Sequence, residues 1–273
     1  MSTDKTPTNV RNILDAIDAA NKQVGYDIWI PSLNKNIQFS GITTGQQKQM
    51  IRALVDNPIY RTNFIIAMYD IIKNNCIDKS VNVNDLFIDD KIAIALQLRN
   101  SSVGNIVKVQ DGDVNYTVDL NNIDYKSKFT HSSDLFNQHE FKTDKFSVIC
   151  QAPTILREVQ LEKEVRIKLD SSKMETYEDV RNVLSDAYIG ELAKHLSAVQ
   201  VVDHGGINLT NVDFKTIYSV VEKLPTQLIK DVITYMEQIQ QYVVSLTTIK
   251  GKDDSGTEID VEITIDAAFF TGK

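Results

Sequence analysis

The chain has 273 residues, 29 Lys+Arg against 37 Asp+Glu for a formal charge of −8, and 42% apolar and 24% charged residues. These are the proportions of an ordinary globular protein, and they argue against disorder, a fibrous repeat and a disulfide scaffold. Its charges are interspersed, so the surface field repels phosphate backbones and no nucleic-acid partner is expected.

No stretch reaches the roughly 18 uninterrupted apolar residues that a bilayer crossing needs. Met1 to Pro7 is polar where a secretory signal would be basic and then apolar. No membrane partner is expected, and the chain is expected to stay where it is made. Cys76 and Cys150 each sit in an apolar neighbourhood and read as buried, reduced thiols.

In chain order, residues 8 to 21 place Val10, Ile13, Leu14 and Ile17 at helical spacing, behind Thr8 or Asn9 as cap. Tyr26 to Pro31 and Lys35 to Phe39 flank the turn-prone Pro31-Ser32-Leu33-Asn34, which predicts a β-hairpin. A helix then runs from Thr43 or Thr44 through Met50, Leu54 and Val55 and stops at Asn57-Pro58, because the residue before proline is pushed out of the helical region. The next helix, restarting at Pro58 and running from Ile59 to Ile72, is apolar around most of its circumference and reads as the centre of a first core. Asp89 or Asp90 caps another apolar helix that ends at Asn100 to Gly104.

Residues 105 to 120 alternate around Asp111-Gly112-Asp113 as a hairpin would. The C-terminus repeats the device: Val244 to Ile249, a turn at Gly251 to Gly256, then Ile259, Val261, Ile263 and Ile265 in alternation. Two hairpins of similar form suggest two related halves or two equivalent small sheets.

Between them, Val159, Leu161, Val165, Ile167 and Leu169 fit a half-exposed strand, while Glu158, Glu162, Lys163 and Arg166 fit a charged helix, and both readings stay open. Amphipathic helices follow over 180 to 199 and 209 to 223. A long one from 225 to about 243 sets Leu228, Ile229, Val232, Ile233, Met236, Ile239 and Val243 on one stripe. The expected fold class is α+β, mainly helical modules with small antiparallel β-hairpins. It divides into an N-terminal module at 1–125, a connecting region at 126–184 and a C-terminal helical module with its closing hairpin at 185–273.

Nothing in this pattern seats a reaction. Asp203-His204-Gly205-Gly206 has the look of an esterase oxyanion segment, but the Gly-x-Ser-x-Gly elbow it requires does not occur, so a loop between strand and helix is the better reading. The segment from Asp111 to Asn115 starts like a calcium loop but has Tyr116 where glycine is needed and Asn122 where a bidentate Glu belongs. His131, His139, His195 and His204 make no i, i+4 pair and have no cysteine pair nearby, so no zinc site follows from spacing. Phosphate-cradling and dinucleotide glycine motifs do not occur. A Cys150 nucleophile served by His131 or His139 would have to be assembled by the fold. No catalytic, cofactor or metal residue is expected, and the chain is expected not to be an enzyme.

One ordered set of landmarks does point somewhere. Ile28-Trp29-Ile30-Pro31-Ser32, Ile37-Gln38-Phe39, Thr44-Gly45-Gln46-Gln47-Lys48, Asp89-Asp90-Lys91, Leu98 to Gly104, Val118-Asp119-Leu120, Lys223-Leu224-Pro225, Ile263 to Asp266 and Phe269-Phe270 follow one another as in the T4-like bacteriophage baseplate hub family, which the chain resembles over roughly 26 to 125 and 185 to 270. Some relatives carry paired cysteines in the two hairpins, as zinc knuckles require. Asp111, Gly112, Lys252 and Asp253 stand there in this chain.

The resemblance implies work in the baseplate hub, as a structural subunit or as a transient tail-assembly chaperone for the tape-measure protein. Partners would then be other hub or tape-measure proteins, with homo-oligomerisation left open. The setting would be the host cytoplasm during assembly and the tail baseplate of the virion. Leu228, Val232, Met236, Phe269 and Phe270 are the candidate contact residues; the alternative is that they are core.

Overall fold

Helices and small sheets alternate along the chain in the computed structural model, which describes residues 8–56, 62–171, 176–210 and 212–271. Helix α1 (Thr8–Gln23) leads into strands β1 (Gly25–Ile30) and β2 (Lys35–Ser40), paired antiparallel with Ile28 opposite Ile37. Their turn closes through Asn34, at φ 49°, whose N–H donates to the Pro31 carbonyl. Alternation buries Ile28, Ile30, Ile37 and Phe39 on one face. Beyond the hairpin come α2 (Thr44–Asp56), α3 (Thr62–Asn75) and α4 (Ile88–Ser102). The predicted break at Asn57-Pro58 and the restart through Ile59 lie outside the described residues.

Helix α4 is buried on nearly every side, from Ile92 to Leu98. It starts one residue before the expected cap. Asp90 reaches back to accept the N–H of Phe87 at 2.8 Å, and its other oxygen accepts Ser32 N–H at 2.8 Å, fastening the first hairpin's turn to the helix. Gln97, mid-helix, accepts the Trp29 N–H and donates to the Trp29 carbonyl, so a side chain serves the free edge of β1 as a neighbouring strand would.

Strands β3 (Ile106–Asp111) and β4 (Val114–Asp119) form the glycine-turn hairpin, with Gly112 at φ +59°. Short helices α5 (Tyr125–Lys128) and α6 (Ser133–Phe136) precede β5 (His139–Lys142) and β6 (Phe146–Cys150). The ambiguous stretch is helix α7 (Ile155–Ser171), with Glu158 on Lys91 of α4 at 2.6 Å.

Helix α8 (Tyr177–His195) ends earlier than expected and the chain turns directly into strand β7 (Leu196–Val201), followed by β8 (Gly205–Asn208). Arg157 explains the stop: its guanidinium donates to the carbonyls of Ala193, Lys194, Leu196 and Leu209, taking the acceptors that a further helical turn would use. The Asp203 to Gly206 segment therefore closes the β7–β8 hairpin, with Gly205 and Gly206 already in β8, and is not a loop between strand and helix. Helices α9 (Phe214–Val221) and α10 (Thr226–Thr247) follow, then β9 (Thr248–Asp253) and β10 (Glu258–Glu262). Val244 to Thr247, read as strand, is the last turn of α10.

The α+β class expected from the sequence is what is observed, with antiparallel sheets in the orders β1-β2, β10-β9-β4-β3 and β5-β6-β7-β8. One expectation is corrected. The two glycine-turn hairpins do not make two equivalent sheets: Tyr116 lies opposite Asp253 and Thr117 opposite Lys252, so they join edge to edge in one.

Two apolar clusters form the core. The first gathers β1, β2, α3, α4, Val107, Val118, Ile249, Val261, Phe269 and Phe270; the second gathers β6, β7, α9 and the first two-thirds of α10. Helix α10 bridges them, with Leu228 in the second and Leu246 in the first.

Candidate interaction surfaces and the buried polar groups

Three of the groups that could carry chemistry, Cys150, His139 and His195, meet around Tyr235, and their protonation states and partners decide what they can do. Cys150 is fully buried in β6, opposite His139 in the β5–β6 ladder, and burial pushes its thiol up to about 12, away from the thiolate a nucleophile needs. His139 directs Nε2 at the Asp134 carbonyl, 2.8 Å away, and stacks on Tyr235. Burial, with the Lys194 and Arg157 charges next, pushes His195 down to about 3, so its ring is neutral, and its Nδ1 has no partner.

His131 sits elsewhere, bonded through Nδ1 to the fully buried Asp89 at 2.7 Å and packed against Phe87 and Phe136. His204 is exposed at the β7–β8 turn. Cys76 is buried in the first cluster, bridged to Phe39, with its thiol also raised by burial. Among the described residues no three His, Cys, Asp or Glu side chains gather as a metal would require. At the hairpin tip where the resemblance would seek cysteine, Asp253 instead accepts the N–H groups of Ser255 and Thr257 and closes its own turn.

The residues singled out from the sequence as contacts lie inside the protein. Leu228 and Val232 are fully buried in the second cluster, Phe269 and Phe270 pack edge to face in the first, and Met236 alone is half-buried. The apolar stripe on α10 was visible in the sequence, but a core stripe and a contact stripe have the same period, so spacing alone could not say which side it faces.

Exposed apolar stripes occur on other helices. On α1, Ile13, Leu14 and Ile17 are 59%, 52% and 50% exposed, and on α8, Tyr177, Leu184 and Tyr188 stand in solvent along one face. The α1 residues were named from their spacing, and the α8 residues were missed because their polar neighbours hide the stripe. No helix among the described residues is long and apolar enough to cross a membrane.

Two small cores under helices that keep apolar stripes in solvent define an α+β protein with surfaces suited to contact with other chains. The chain belongs to the T4 bacteriophage base plate protein family, whose model matches residues 24–270. It is thus a phage baseplate protein, and α1 precedes the matched span. Comparison with curated proteins and with solved structures gave no match.

Proposed function

We propose that this chain helps to build the hub of the baseplate through protein–protein contacts, without catalysis of its own. The observation that carries this reading is the α1 stripe, since three large aliphatic side chains left half-exposed on one helix face gain most from being covered by a partner. The titratable groups agree with it: the one fully buried thiol has its pKa raised, the most buried histidine is neutral, and His131 is committed to Asp89. The partners are other hub proteins or the tape-measure protein, met in the host cytoplasm before the chain takes its place in the tail baseplate.

A second reading, a transient chaperone for the tape-measure protein, draws support from an apolar groove of about 280 Å³ between α3, α4 and the end of α10. Phe64, Met68, Ile92, Val243, Val244 and Ile265 line it, and an amphipathic helix lays its apolar face into such a groove. Mass spectrometry of gradient-purified virions decides between the two. Stoichiometric peptides from this chain in mature particles are expected for a hub subunit, and their complete absence from particles whose assembly requires the chain would establish the chaperone instead.

A further inference from the structure

The sheet β10-β9-β4-β3 ends, at β3, on an edge with no strand beside it among the described residues, and that edge is not uniformly exposed. In the β3–β4 hairpin the two-residue turn makes Asp111 and Val114 a hydrogen-bonded pair, and Leu120 N–H donates to the Asn105 carbonyl at 2.8 Å. By alternation, residues 105, 107, 109 and 111 direct their backbone groups to β4, while Ile106, Lys108 and Gln110 direct theirs outward. The Ile106 carbonyl confirms the parity, since it accepts Arg99 Nη2 from the outer side at 2.7 Å. Among the described residues, what remains open is the Ile106 N–H and both backbone groups of Lys108 and Gln110.

This edge forms one wall of a groove of about 340 Å³, and the chain from Ile263 to Phe269 forms the other. Arg99 lines it. Its guanidinium is buried, donates to the Gly104 and Ile106 carbonyls, lies over the Phe269 ring and leaves Nε without an acceptor. Burial alone depresses its pKa, and among the described residues it makes no ion pair. Asp266, among the described residues the one carboxylate lining the groove, accepts the N–H of Phe269. A buried guanidinium without a carboxylate is an uncompensated charge, and Lys108 adds a second positive group at the rim.

We infer that this groove receives an extended segment of a partner protein as a fifth strand along β3, with an Asp or Glu side chain of that segment placed against Arg99. The outward groups of Lys108 and Gln110 supply the ladder, and Arg99 supplies the selection for an acid. A second copy of this chain is the poorer occupant, because β3 pairing with itself along this edge sets the two Lys108 side chains opposite or diagonal to each other on one face. The inference rests on the reading that the chain works through protein contacts.

The test uses the purified full chain and short peptides alternating valine and threonine, with a single glutamate walked through every position, each beside its glutamine counterpart. Amide exchange by NMR reports the site. At least one glutamate peptide is expected to bind at up to millimolar concentration and to slow exchange at Lys108 and Gln110. Its glutamine counterpart is expected to bind at least about tenfold more weakly.

Lys108→Pro deletes an outward N–H without touching the β3–β4 ladder, so it should abolish binding while the circular dichroism stays unchanged. Gln110→Pro is the parallel variant should that one fail to fold. No binding by any peptide, equal binding of glutamate and glutamine forms, or a chain that dimerises through β3 would each overturn the inference. A negative result with peptides leaves the virion measurement untouched, so this proposal and the broader one can fail separately.

Discussion

His131 shows how a residue unreadable in the sequence becomes informative in the fold. Spacing could exclude a local zinc site for it, yet its partner Asp89 lies 42 positions away on α4. The hydrogen bond to Asp89 raises the His131 pKa, with burial opposing and the Asp89 and Asp90 charges adding. Beside it, burial and then the Asp89 charge raise Asp90 to about 6. Tyr242 of α10 faces the same carboxylates, its phenol raised mainly by burial, so it stays neutral.

Both raised values act in one direction. The Asp90 contribution to stability is complete below its unfolded value near 3.8 and is lost as pH rises through about 6; that of His131 is complete below about 6.5 and is lost as pH rises through its higher folded value. His195, held down to about 3, acts the other way over the same window, so urea unfolding at pH 5 and pH 8 reads the Asp89–His131 pair from the difference between wild type and variant, not from the wild type alone. His131→Gln should lower stability by about 1–3 kcal/mol at pH 5 and by less at pH 8. Equal losses at the two values would mean that the pair is not charged.

At the scale of elements, periodicity places the hairpins that turn residues punctuate, and it fails where helix and strand meet without a breaking residue. Hairpins carry a two-residue period broken by turn residues, and β1–β2 and β3–β4 appear where Pro31 to Asn34 and Asp111 to Asp113 placed them. The sheet β5-β6-β7-β8 was not legible, because β7 continues α8 without a breaking residue and the helix is ended by Arg157, a residue 36 positions before Ala193. Nor could sequence say which apolar stripe faces inward.

That distinction predicts opposite mutational behaviour. Phe270→Ala removes a fully buried ring from the first cluster and should cost about 3–5 kcal/mol. Ile13→Ser with Ile17→Ser, on the exposed face of α1, should each change stability by no more than about 0.5 kcal/mol while weakening recovery of hub complexes from infected cells. A large stability loss from the α1 pair would show that face to be covered within the chain itself.

At the scale of the whole molecule, sequence order and spatial order part company. Read along the chain, the elements fall into 1–125, 126–184 and 185–273, and short-range pattern offers no other grouping. In space the last hairpin returns to the first core: β9 pairs with β4, Ile249 and Val261 pack with Val118, and Phe270 sits among residues of the N-terminal cluster, where its carbonyl accepts Gln47 Nε2. Contacts of this kind join residues more than 130 positions apart, and no local period records them.

The junction is tight at Gly251, where an added Cβ would stand 2.8 Å from a Val261 methyl and 3.2 Å from one of Val118. Gly251→Ala should therefore destabilise the whole first cluster, by about 1–3 kcal/mol as overpacking does, and not the C-terminal hairpin alone. The stronger consequence concerns fragments. Residues 1–125 lack β9, β10, Phe269 and Phe270, and so leave the outer side of β4 and the apolar floor beneath it open to water. That fragment is expected to lack a cooperative thermal transition or to aggregate, whereas adding residues 240–271 as a second polypeptide should restore a cooperative transition and the slow exchange of the Thr117 region. If 1–125 alone melts cooperatively as a monomer, the C-terminal hairpin is an accessory to a self-sufficient first module, and the shared sheet is a docking contact between two folded units.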